Sequence, residues 1–341
     1  MATFYRFVVL LAWARILAAA TPDPARHRGR RHTVHRLAHN DPVNDLASLL
    51  TPEGRALLDE VRDTDPAREL AVATRLRREH PAALVSAALG QARLRQRAVA
   101  KFGERDATRM FFTPNGVEQS TRASVATYRA ECLYALGVRS VADLCCGIGG
   151  DAIALARAGI RVLAVDRDPL TCAAARANAD ALGLAELIEV READVTEVDT
   201  AGCDAVFVDP ARRSSKRGRI FDPEAYSPPL SWAVSAALGA PLGLLKIAPG
   251  IPHEAIPEAA TAEWVSDGGD VKEAMLWFGR DVTPGARRAT LLPAGAGLHV
   301  TPAPRSPTPK YARSDGTCTS PTAPSSAHTW SPRWPRSWRA A

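Results

Sequence analysis

Asp143-Leu-Cys-Cys-Gly147-Ile-Gly149-Gly150-Asp151 stands between a short apolar run, Val141-Ala-Asp-Leu144, and a segment of helical pattern over 151–158. A strand that turns through glycines into a helix brings backbone close to a ligand at the carboxyl edge of a sheet. Gly147, Gly149 and Ala152 also fit a GxGxxA spacing, so a nicotinamide dinucleotide is one candidate ligand. Further apolar runs follow at Val162-Leu-Ala-Val165, Leu187-Ile-Glu-Val190, Ala205-Val-Phe-Val208 and Gly243-Leu-Leu-Lys-Ile247. Between and after them, the periodicity predicts helices over 170–182, 225–238 and 252–260. This alternation predicts an α/β domain with a Rossmann-like, doubly wound, mostly parallel sheet over 137–297. Segments around 263–265, 273–278 and 290–292 complete the sheet.

Asp143 separates the candidate ligands. A carboxylate beside the glycine turn repels a pyrophosphate, but it suits a ligand that carries an ammonium and a sulfonium and no phosphate. S-adenosylmethionine is such a ligand. Asp166 ends the second strand, where a carboxylate can accept both ribose hydroxyls. Asp194 follows the third strand and is placed to accept from an adenine amino group. One acid at a strand end is commonly a solvated cap, whereas three on successive strands beside a glycine turn make a cofactor site. Asp151, at a helix start, equally complements the dipole. Cys145 and Cys146 belong to the turn; packing under the glycine loop is the commoner role for such cysteines, and no histidine lies near them in sequence to make a nucleophile.

Ahead of this domain, 41–136 reads as a helical domain. Leu46, Leu49, Leu50, Leu57, Leu58 and Val61 recur at helical spacing, with Thr51-Pro52-Glu53 as a start signal. The pattern continues over 69–77 and 82–102, where Arg93, Arg95, Arg97 and Lys101 read as a polar face, usually solvated and only sometimes phosphate-binding. Phe111-Phe112-Thr113-Pro114-Asn115-Gly116 reads as a turn, followed by one helix over 117–136.

The net charge of +6 belongs to the ends of the 341-residue chain. Residues 1–40 carry seven arginines against Asp23, and 298–341 carry six basic side chains against Asp315; the middle holds 30 basic and 35 acidic side chains. Residues 1–40 resemble an export signal in outline, but Arg15 interrupts the apolar run. They are expected to be a disordered or mis-started leader on a cytoplasmic protein with no membrane span. No CxxC pair suggests zinc, and no metal is expected. Residues 298–341 are rich in Pro, Ser, Thr, Arg and Trp, with no surviving periodicity, and are expected to be a disordered tail. That bias is also typical of GC-rich coding sequence read out of frame. With suitable synonymous codons, 316–332 read one base earlier spell Tyr-Leu-Tyr-Glu-Pro-Asp-Gly-Ala-Val-Ile-Arg-Ala-His-Leu-Val.

The succession DLCCGIGGD (143–151), AVDRD (164–168), EAD (192–194) and VFVDPARR (206–213) resembles a class I S-adenosylmethionine-dependent methyltransferase over 138–292. More narrowly, it is similar to a bacterial family of such enzymes with a helical amino-terminal domain and a carboxyl-terminal THUMP-like domain. Phe112-Thr-Pro-Asn-Gly-Val-Glu-Gln-Ser120, Lys246-Ile-Ala-Pro-Gly-Ile-Pro-His253 and Trp264-Val-Ser-Asp-Gly-Gly-Asp270 resemble that family too. The core is also similar to trimethylguanosine synthase-like RNA methyltransferases. In the THUMP-like family the last domain opens much as the shifted frame does, which implies that the tail is a frameshifted remnant of it.

The resemblance implies that Asp209-Pro210-Ala211-Arg212 lies where the methyl group is transferred. Amino-directed nucleic-acid methyltransferases carry there an acid or Asn, two prolines and an aromatic. Asp209 and Pro210 keep that pattern, while Ala211 and Arg212 depart from it and put amino-group methylation in doubt. An arginine plane still stacks on a base or clamps a phosphate. Arg212, Arg213, Lys216, Arg217 and Arg219 crowd one loop, a candidate phosphate-backbone contact that makes RNA the leading substrate. Asp209 is the first candidate base and His253 the second. The alternatives are a methyltransferase acting on a small molecule or protein, and a noncatalytic cofactor-binding or defective homologue.

Overall fold

The computed structural model describes residues 42–212, 226–293 and 296–300. The leader, most of the basic loop and nearly all of the tail lie outside these residues. The chain first builds helices. α1 (Pro42–Leu49) and α2 (Pro52–Glu60) meet at Thr51, whose hydroxyl accepts the Gly54 N–H at 3.1 Å, with Pro52 at the first helical position. α3 (Glu69–Leu76) and the 21-residue α4 (Ala82–Phe102) follow, then the short α5 (Glu104–Ala107), α6 (Pro114–Gln119) and α7 (Ala123–Ala135).

The α/β part runs β1 (Ser140–Leu144), α8 (Gly150–Arg157), β2 (Arg161–Asp166), α9 (Pro169–Leu182), β3 (Ile188–Glu192) and β4 (Ala205–Val208). A small ribbon, β5 (Ala211–Arg212) with β6 (Tyr226–Ser227), leads to α10 (Leu230–Gly239) and β7 (Leu242–Ile247). β8 (Thr261–Asp267), β9 (Asp270–Gly279), β10 (Arg287–Leu292) and β11 (Ala296–Val300) close the sheet. Its order is β11-β10-β8-β9-β7-β4-β1-β2-β3; β9 and β11 run antiparallel to their neighbours. From β1 the chain winds one way to β2 and β3, then crosses back to β4 and β7. β1 and β4 therefore flank the topological switch point, where open α/β sheets bind ligands beyond the strands' carboxyl ends.

The pleat sorts side chains between two cores. Val141, Val162, Ala164, Phe207, Leu242 and Leu244 join the buried residues of α1 to α9, while Ala142, Leu144, Val165, Val206, Val208 and Leu245 pack with α10 on the other face. The helical segment and one face of the sheet thus share a continuous core.

Several elements differ from the sequence pattern. The expected helix over 117–136 is two helices, because Ser120 (ψ 143°) and Arg122 (ψ 143°) are extended. Lys101 Nζ donates to the Ser120 carbonyl at 2.9 Å, and Arg122 donates to the Ala100 carbonyl at 2.9 Å, which holds the break against α4. The expected helix over 252–260 is a single 3₁₀ turn, His253–Ala255; Pro257 lacks an N–H and keeps Ile256 extended (ψ 121°). Pro228 and Pro229 likewise delay α10 to Leu230. In the segment read as a turn at 111–116, Phe111, Phe112 and Thr113 form a buried strap and Pro114 begins α6, capped by Thr113 accepting from the Gly116 N–H at 2.9 Å. The arginine row on α4 is not one solvated face. Arg93 pairs with Glu69 at 2.8 Å and Arg97 with Glu118 at 3.0 Å, whereas Arg95 is buried, donates to the Met110 carbonyl at 2.9 Å and lies over the Phe111 ring. β11 carries the sheet three residues into the stretch read as tail.

Candidate functional site

The glycine turn is fixed by backbone shape. Cys145, Gly147 and Gly149 have φ of 64°, 57° and 85°, the left-handed region that glycine enters without steric cost. The chain thereby turns tightly and begins α8 at Gly150, six residues after Leu144. Its path is tied to the neighbouring strand: the Cys146 N–H donates to the Val165 carbonyl at 3.0 Å and the Gly147 N–H to Asp166 Oδ2 at 3.0 Å.

Asp143 is fully buried, and neither carboxylate oxygen has a hydrogen-bond partner. Burial, reinforced by the negative charge of Asp209, pushes its acid up to about 7, while Arg129 and Lys246 pull it down. An orphaned buried carboxylate is costly, and a cationic ligand group would satisfy it. Asp166 ends β2 half-buried, accepting from the Gly147 N–H through Oδ2 and from the Asp168 N–H through Oδ1 at 3.0 Å. Asp194 is exposed and caps the 3₁₀ turn Val195–Glu197, accepting through Oδ1 from the Thr196 N–H at 2.9 Å and hydroxyl at 2.7 Å; these bonds hold its carboxyl below the usual range.

Cys145, Asp166, Arg167, Asp194, Val195 and Thr196, together with Ala211, Ser227, Pro228 and Pro229, line a cavity of about 210 Å³. Of the residues singled out in the sequence, Cys145, Asp166 and Asp194 line this cavity, whereas Asp143 and Asp209 are not among its lining residues. Burial, with Asp166, Asp209 and Asp143 nearby, pushes the Cys145 thiol far up, and burial does the same to Cys146. Neither is a thiolate nucleophile at neutral pH.

Asp209 follows β4, its N–H donating to the Leu144 carbonyl at 3.1 Å, and Pro210 is buried behind it. Arg212 pairs with Tyr226 in the small ribbon, and only its backbone falls within the described residues. Arg213, Lys216, Arg217 and Arg219 lie outside them. His253 is exposed, stacked on Trp264 with ring centroids 5.5 Å apart, and does not line the cavity.

Sequence reasoning missed the polar chain beneath this edge. Lys246 Nζ donates to Asp209 Oδ2 at 2.7 Å and to Thr121 Oγ1 at 2.9 Å. Thr121 Oγ1 donates to Asp151 Oδ2 at 2.7 Å, and Arg129 pairs with both Asp151 and Glu273 while its guanidinium lies 4.5 Å from the Phe207 ring centre. Asp151 thus does more than complement a helix dipole: it is the acceptor at the centre of this chain. Among the described residues no group of side chains could hold a metal ion, and no helix is long and apolar enough to cross a membrane.

Comparison with known proteins gives two family matches. Residues 41–98 match a domain of unknown function (DUF8688), and residues 141–213 match the family described as methyltransferase domain. Two curated relatives, each described as an uncharacterized S-adenosylmethionine-dependent methyltransferase, come from the CDC 1551 and H37Rv strains of Mycobacterium tuberculosis. Each is 35% identical over 210 residues, which is 59% of this chain and 56% of the relative. The chain thus spans little more than half the length of these relatives. A crystal structure from Porphyromonas gingivalis W83, described as a candidate methyltransferase, aligns with a TM-score of 0.59 at 22% identity, over 76% of this chain and 65% of that one. The chain has the Rossmann-like fold of class I methyltransferases, with a helical layer built onto it.

Proposed function

We propose that this chain is an S-adenosylmethionine-dependent methyltransferase whose acceptor is RNA. The observation that carries the cofactor assignment is Asp143: a wholly buried carboxylate with no hydrogen-bond partner, at the switch point and beside an acid-lined cavity. A pyrophosphate is repelled there, whereas a ligand with an ammonium and a sulfonium supplies the missing charge. Asp166 is the ribose acceptor and Asp194 the adenine partner, with Cys145, Gly147 and Gly149 forming the floor. The glycine turn fits such a ligand, since Gly147 has open space where a Cβ would stand.

The bound cofactor supplies an electrophilic methyl group. The protein's own part is to place a nucleophile in line with it, which accounts for much of the rate in such reactions. Asp209, at the carboxyl end of β4, orients the acceptor and takes its proton where one must leave. Pro210 stiffens that turn, and Arg212 stacks on a base or holds a phosphate. His253, exposed on Trp264, is the second candidate base. Arg213, Lys216, Arg217 and Arg219 contact the phosphate backbone. The RNA assignment rests on this basic loop following the transfer edge and on the sequence resemblance.

Calorimetry tests the cofactor: micromolar binding of S-adenosylmethionine without binding of NAD is expected, and the reverse sinks the reading. Tritium transfer from labelled cofactor to total RNA, protein and small-molecule fractions tests the acceptor, with label expected in RNA.

A further inference from the structure

Lys246 is an unusual residue for its strand. β7 is otherwise apolar, and the pleat places Lys246 on the same face as Leu242 and Leu244, beneath the helical layer. Its side chain is 15% exposed, yet its ammonium is not idle: Asp209 Oδ2 and Thr121 Oγ1 take two of its three hydrogens. Thr121 is held there by the break between α6 and α7, and it passes the chain on to Asp151, Arg129 and Glu273. The charge of Asp209 is also felt by Asp143 and Cys145, from β1 and its turn, and that of Lys246 by Lys101 of α4. Asp209 and Asp143 are thus two acids at the edge where β1 and β4 pair; Lys246 is bonded to the first, and both Arg129 and Lys246 act on the second through charge.

We propose that Lys246 is a positioning residue of the transfer site: anchored by Thr121, it holds Asp209 through one oxygen and sets the charge felt by the sulfonium of a ligand bound at this edge. Asp209 then presents its other oxygen to the acceptor in a fixed orientation, and the helical layer becomes part of the site through Thr121. This inference rests on the methyltransferase reading, but its first readout needs no acceptor. S-adenosylmethionine carries a sulfonium, and S-adenosylhomocysteine, otherwise alike, carries a neutral sulfide. Removing a nearby positive charge favours the cation over the neutral ligand.

Calorimetry with both ligands on wild-type, Lys246→Met and Lys246→Arg full-length proteins tests this directly. The ratio of affinities, sulfonium over sulfide, is expected to rise roughly 3- to 10-fold in Lys246→Met and to stay within about twofold of wild type in Lys246→Arg. The initial rate of tritium transfer to total RNA is expected to fall at least about tenfold in Lys246→Met and to recover in Lys246→Arg. An unchanged ratio in Lys246→Met overturns the inference, as does an equal loss of both ligands accompanied by a lower melting temperature. Wild-type protein that binds both ligands but labels no RNA removes the RNA assignment and leaves the ratio to decide the role of Lys246. Wild-type protein that binds neither ligand overturns the methyltransferase reading and this inference with it.

Discussion

The Gly147 N–H donates to Asp166 Oδ2 at 3.0 Å, so the acid that faces the cavity also braces the glycine turn. Its other oxygen accepts from the Asp168 N–H at 3.0 Å, at the start of α9. Each oxygen keeps a further lone pair for a ligand hydroxyl. One side chain thereby couples loop shape to ligand recognition.

Asp166→Ala is expected to weaken S-adenosylmethionine binding by at least about tenfold, because the loop loses its brace and the ligand its acceptor. Asp166→Asn retains one acceptor oxygen but turns the other position into a donor, so an intermediate loss is expected. Calorimetry on both variants, with melting curves to separate loop loosening from global loss, distinguishes these outcomes. Wild-type affinity in Asp166→Ala removes Asp166 from the site.

Asp143 makes binding pH-dependent. Burial pushes its acid up to about 7, so the folded protein holds a proton on it that the unfolded chain has already released at the same pH. Between about pH 4 and pH 7 this group therefore lowers stability as pH rises, and above 7 its contribution levels off. A bound cation needs the ionised form. Affinity for S-adenosylmethionine is expected to climb by up to about tenfold per pH unit below 7 and to flatten above it, with proton release on binding. Titrations in two buffers of different ionisation enthalpy measure that release. Asp143→Asn is expected to bind weakly and to lose this pH dependence; an unaltered profile in the variant assigns the proton to another group.

The positions of Asp143, Asp166 and Asp194, at or just beyond the carboxyl ends of β1, β2 and β3, were legible from spacing alone. The chain from Lys246 to Glu273 was not. Its bonds join residues 125 apart (Lys246 to Thr121) and 144 apart (Arg129 to Glu273), and strand order decides that they meet. A local signal did exist: Arg129 shares a helical face with Val125, Cys132 and Leu133, all buried, so that an arginine stands in an apolar stripe. Lys246 in an apolar strand is the same kind of signal. The break at Ser120 was not visible, because tertiary bonds from Lys101 and Arg122 impose it on residues that fit a helix.

Asn178 pins the helical layer to the glycine turn. Fully buried on α9, it accepts from the Phe111 N–H at 2.6 Å and donates to the carbonyls of Phe111 at 3.1 Å and Ile148 at 2.9 Å. Asn178→Ala strands three buried backbone groups, and a loss of roughly 2–3 kcal/mol is expected by urea denaturation. Because Ile148 belongs to the turn, cofactor affinity is expected to fall as well. A variant that is destabilised yet binds normally would confine Asn178 to holding the strap.

Arg129 carries the largest expected stability loss. It is 2% exposed and lies between Asp151 and Glu273, themselves 7% and 3% exposed. Replacing a buried ion triad by apolar groups can be neutral, but removing only its cation leaves two carboxylates buried without a counter-charge. Arg129→Met is therefore expected to cost roughly 3–5 kcal/mol in urea denaturation. The double variant Arg129→Met/Glu273→Met removes one of the stranded acids and is expected to regain part of that loss, a non-additivity that charge compensation requires. Additive losses in the double variant would mean that Arg129 contributes mainly through its packing over Phe207, where its guanidinium lies 4.5 Å from the ring centre.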